Sequence, residues 1–71
     1  MTKLEIMEKV QGFVSGWGLG MSKEAMVDKV YRFMEREHDV CCLNGKYIII
    51  DGNEFQFIKS RKDYCWYVKE L

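Results

Sequence analysis

Two glycine-bearing turns constrain this chain more than anything else in it. Between Val40 and Ile58, short apolar runs flank Asn44-Gly45, and a third run follows Asp51-Gly52-Asn53. Asn-Gly and Asp-Gly tolerate the positive φ angles of tight turns whose twist matches paired strands, so each predicts a hairpin. A polar turn, Ser60-Arg61-Lys62-Asp63, then leads into a fourth apolar run from Tyr64 to Lys69. The reading is a four-stranded meander, with strands at about 40–43, 46–50, 54–59 and 64–69.

A two-residue period sorts the strand side chains onto two faces. A two-residue turn at Asn44-Gly45 sets Cys41 opposite Ile48 and Leu43 opposite Lys46. One face then carries Cys41, Leu43, Ile48, Ile50, Phe55, Phe57, Trp66 and Val68, enough to form a core under two helices. The other carries Val40, Cys42, Tyr47, Ile49, Glu54, Gln56, Ile58, Cys65, Tyr67 and Lys69. About half of this second face is large and apolar, more than a solvated sheet face usually holds. A contiguous apolar patch of this kind marks a binding surface, and tyrosine is enriched at such surfaces.

The first half of the chain reads as helical. Thr2-Lys3-Leu4-Glu5 forms a capping box, in which Thr2 receives the Glu5 amide and Glu5 reaches back to the Thr2 amide. Leu4, Met7, Val10, Val14 and Trp17 follow at helical spacing, placing a first helix at about 3–15. The glycine-rich stretch Gly16 to Gly20 ends it, with Trp17 and Leu19 plugging the turn. Ser22 is a good N-cap, and Met26, Val30, Phe33 and Met34, widened by Val27 and Tyr31, give a second stripe at about 23–37. Asp28 and Arg32, four apart, form an outward pair, and His38 supplies a cation at the helix C-terminus. The fold class is therefore α+β: one two-layer domain over 1–71, a helical hairpin packed on one face of an antiparallel meander.

Charge narrows the function. Lys plus Arg and Asp plus Glu both number 11, with six of each in residues 1–38 and five of each in 39–71. Domains held to nucleic acid mainly by phosphate neutralisation are usually basic. Three cysteines, two of them adjacent, do not make a disulfide framework, and charged residues interrupt the N-terminal apolar residues, so neither a signal peptide nor a membrane span is expected. A reducing, cytoplasmic location fits. Cys41 and Cys42 point to opposite sides of a strand, so they and His38 and Cys65 make a poor zinc set. With one histidine and no paired carboxylates, nucleophile triad or phosphate loop, the sequence predicts no enzyme, cofactor, metal or small-molecule substrate.

The expected function is non-enzymatic binding of a protein, another chain or a second copy of this one, through Tyr47, Ile49, Gln56, Ile58 and Tyr67. A compact module of this size suits a small regulator or inhibitor of the kind carried by a virus or mobile element, which is analogy alone. The competing expectation is a small DNA- or RNA-binding regulator. It would use Lys46, Lys59, Arg61 and Lys62, with helix 2 (Lys29, Arg32, Arg36) as the groove reader.

Overall fold

A computed structural model describes residues 2–43 and 45–71, the side chains of Cys42 and Leu43 excepted. Helix α1 spans Lys3–Val14 and α2 spans Lys23–Met34. Strands β1 (Val40–Leu43), β2 (Tyr47–Ile50), β3 (Asn53–Ser60) and β4 (Cys65–Glu70) pair in sequence order as one antiparallel sheet. Both caps form as expected: Thr2 and Glu5 close the capping box, and the Ser22 hydroxyl accepts from the Ala25 amide. Helix α2 ends three residues short of the expected 37, and its last carbonyls are taken by a turn in which His38 N donates to Met34 O.

The core lies between the two helices and one face of the sheet. Ile6, Val10 and Val14 from α1 and Met26, Val27, Val30 and Met34 from α2 pack on Ile48, Ile50, Phe55, Phe57, Trp66 and Val68. Helix α1 lies along β4, while α2 covers β1, β2 and β3. Three residues of the expected stripes point elsewhere: Leu4 is 65% exposed, and Phe33 and Trp17 are partly exposed. Ile6 takes the place expected for Leu4, because Ile6, Val10 and Val14 follow one four-residue row that faces β4. Phe33 stacks on Phe13 at 4.2 Å, closing the side of the helical hairpin rather than its floor.

The first hairpin corrects the expected register by one residue. Val40 pairs with Ile50, Cys41 with Ile49 and Leu43 with Tyr47, so the connection holds three residues, not two. Asn44 lies outside the described residues, and Gly45 takes φ +68. With a side-chain period of two, one extra loop residue exchanges the faces of β1. Cys41 is therefore exposed, not core, and Val40 packs against the core in its place. The other registers keep their faces: Asp51 (φ 50) and Gly52 (φ 85) form a two-residue turn, and β3 joins β4 through residues 61–64, one later than expected.

Candidate protein-binding face

The face of the sheet away from the helices holds the five residues expected to bind protein. Tyr47 pairs with Gln56 and Ile58 with Tyr67, while Ile49 stands beside Tyr47 on the same face, two residues along β2. The structure thus brings Tyr47, Ile49, Gln56, Ile58 and Tyr67 onto one side of three adjacent strands. Tyr47, Ile49, Gln56 and Ile58 are half-buried by their neighbours in the sheet, and Tyr67 is 37% exposed. Among the described residues no helix crosses this face, since both helices pack on the other. Cys41 and Cys65 lie on it too.

Tyr67 is held in place rather than free to rotate. Its hydroxyl donates to Asp63 Oδ2 at 3.0 Å, and Asp63 is fixed by Ser60, whose hydroxyl accepts from the Asp63 amide. The Cys65 thiol and the Asp63 carboxylate beside it push the phenol up to about 12, from its ordinary 10.0. The face therefore presents a neutral tyrosine ring with its polar end anchored at the edge, an arrangement that loses little side-chain entropy on binding.

The basic residues are not one cluster. Lys59 lies on the helix side of β3, its ammonium 5.3 Å from the centre of the Trp66 ring. Arg61 and Lys62 sit in the β3–β4 turn, and Lys46 in the β1–β2 turn at the same end of the sheet. Strand β3 runs from Phe57 to Ser60 past the last β2 pair, so the turn projects by about 13 Å at ~3.3 Å per residue. On α2, Arg32 pairs with Asp28 at 3.3 Å and Lys29 sits 4.3 Å over Trp17, so two of the three expected groove-reading cations are engaged within the fold.

Two polar arrangements were not foreseen from sequence. The Gln11 carboxamide on α1 donates to Trp66 O (2.8 Å) and accepts from Val68 N (3.0 Å), closing the outer edge of β4 as a peptide group of a further strand would. At the opposite end of the molecule, His38 Nδ1 lies 2.6 Å from Asp51 Oδ2, and Asp51 Oδ1 accepts from Asp39 N. Since a carboxylate only accepts, Nδ1 carries the proton. The imidazole is 6% exposed, and among the described residues its Nε2 has no hydrogen-bond partner. Only the helical position of Gln11, one residue after Val10, hinted at the first contact. Nothing local signals the second, because Asp51 is read as a turn residue and its carboxylate is free to serve elsewhere.

A hollow of about 330 Å³ between α1 and β4 is lined by Met7, Glu8, Gln11 and Val68, and one of about 540 Å³ by Lys9, Phe33, Arg36 and Glu37. No described group of three or more His, Cys, Asp or Glu residues is placed to hold a metal ion. Among the described residues, no helix is long and apolar enough to cross a membrane. Comparison with protein-family models, curated proteins and solved structures finds no match to this chain.

Proposed function

We propose that this chain is a non-enzymatic protein-binding module whose contact surface is the helix-free face of the sheet. The observation that carries the reading is the grouping of Tyr47, Ile49, Ile58 and Tyr67 on three adjacent strands, with no helix among the described residues over them. Burying such a face gains about 25 cal/mol per Å² of apolar surface, and the hydrogen-bonded sheet pre-organises it at little entropic cost. Gln56 in its midst offers both a donor and an acceptor to orient the partner. A regulator or inhibitor role accords with so small a domain.

The test is a native pull-down with the wild type and with Tyr47→Asp/Ile58→Asp. The reading expects a protein retained by the wild type and by a helix-surface variant such as Glu8→Lys, and lost by the double variant, which stays folded. Retention of the same protein by the folded double variant overturns the reading.

A nucleic-acid-binding reading draws support from one feature, the projecting β3–β4 turn with Arg61 and Lys62 at its tip. Lys59 on the opposite face and the engaged α2 cations weaken it. Salt-dependent binding that falls on Arg61→Ala/Lys62→Ala is its signature.

A further inference from the structure

The two edges of the sheet are finished differently. The outer edge of β4 is sealed by the Gln11 carboxamide, whereas among the described residues β1 ends the sheet on its other side with no strand beside it. Asp51 N donates to Asp39 O, which fixes the alternation along β1: Asp39, Cys41 and Leu43 turn their main-chain groups toward β2. Val40 and Cys42 therefore turn theirs outward. Among the described residues no side chain bonds the outward groups of Val40. The strand, Val-Cys-Cys-Leu, is only four residues long and so offers just two outward residues, but it carries none of the lysines, prolines or inward charges that blunt longer edges.

Charge adds direction. At the β1 edge itself Lys46 lies in the turn that follows the strand, while Lys59, Arg61 and Lys62 belong to β3 and its turn, at least two strands away. Asp39 precedes the strand at its other end, with the Asp51 carboxylate bonded to its amide. An edge of this kind is complementary to itself when reversed, because the acidic end of one copy lies beside the basic end of the other.

We infer that β1 pairs antiparallel with β1 of a second copy about a two-fold axis at Cys41, giving one continuous eight-stranded sheet. This register uses every outward group, since Val40 of each copy exchanges hydrogen bonds with Cys42 of the other. It also lets the helices fit. Helix α2 lies over β1, β2 and β3, so the two copies of α2 stand about three strand spacings apart, roughly 14 Å at ~4.8 Å each, and do not clash. Tyr31, half-buried on the side of α2 away from Phe33 and α1, then meets its own counterpart above the new seam. Both helix-free faces stay open and become continuous across the seam, so the pairing is independent of what those faces bind.

At the axis, Cys41 faces Cys41 in a non-hydrogen-bonded pair, where Cα atoms lie about 4.5 Å apart, inside the range a disulfide spans. The test follows from that. In the Cys42→Ser/Cys65→Ser variant, diamide takes two electrons and two protons from the two Cys41 thiols, and a covalent dimer is expected. The Cys41→Ser/Cys42→Ser variant, which keeps Cys65 far from the seam, should give none. Light scattering over a concentration series should show a dimer for the wild type and for Ile58→Asp, and a monomer for Cys41→Lys. A wild type that is monomeric throughout overturns the inference. So does a dimer that survives Cys41→Lys but dissociates on Ile58→Asp, which would seat the second copy on the open face instead.

Discussion

His38 and Asp51 lock the two ends of the β1–β2 hairpin to the end of α2: the imidazole Nδ1 stands 2.6 Å from the Asp51 carboxylate, which also receives the Asp39 amide. One side chain thus anchors the turn between β2 and β3, the start of β1 and the exit from the helix. The hydrogen bond from His38, and then that from the Asp39 amide, hold the Asp51 carboxyl below its ordinary value of 3.8. A depressed carboxyl stabilises the fold above its unfolded value, and that contribution disappears as pH falls through the folded value. Asn at this position keeps the positive φ that Asp51 adopts and removes the charge. Asp51→Asn is therefore expected to lower the urea midpoint at neutral pH, with the gap to wild type closing below about pH 3.8. Urea titrations over a pH series measure it.

Gln11 makes the second prediction. Truncation to alanine leaves Trp66 O and Val68 N without their partner at a partly buried edge, for which roughly 1–3 kcal/mol is the usual cost. The denaturation midpoint should fall by that free energy divided by the slope, with the slope itself unchanged. The variant should also aggregate more readily than the wild type, since β4 becomes an open edge.

The two faces of β2 and β3 should respond oppositely. Ile48 is fully buried beneath α2, and Ile48→Ala is expected to cost about 2–5 kcal/mol. Ile58, on the open face, should tolerate even Ile58→Asp at about 1 kcal/mol, the span of strand propensity. Chemical denaturation of both variants compares them directly.

Tyr67 provides a spectroscopic check on its own environment. Removing the Asp63 charge with Asp63→Asn should bring the phenol down from about 12 toward its ordinary 10.0, short of it because Cys65 still adjoins the ring. Tyrosine ring resonances followed through an alkaline titration report the shift.

Much of this architecture was legible in the residues. The caps at Thr2 and Ser22, a tight turn within Asp51-Gly52-Asn53 and the alternation in β2, β3 and β4 are local signals, and each produced the element it predicts. The register of β1 was not legible, because Asn44-Gly45 fits a two-residue and a three-residue connection alike, and one residue exchanges Val40 for Cys41 on the core face. The stripe read through Leu4 missed Ile6, because both are apolar and only the position of β4 beneath the helix decides which one is buried. The tyrosine face was legible as a set of residues, since its period of two survives shifts in turn position. The contacts of Gln11 and of His38 with Asp51 were not, as they span 55 and 13 positions of sequence and depend on how helices and sheet meet.

The most direct test of a protein-binding sheet face is site-directed photocrosslinking in extract of the source cells. Benzoylphenylalanine replaces Ile58 in one variant and Glu8, on the solvent side of α1, in another. A discrete covalent adduct with one other protein from position 58, absent from position 8, is the predicted result. Equal labelling from both positions, or adducts from position 8 alone, would contradict the account.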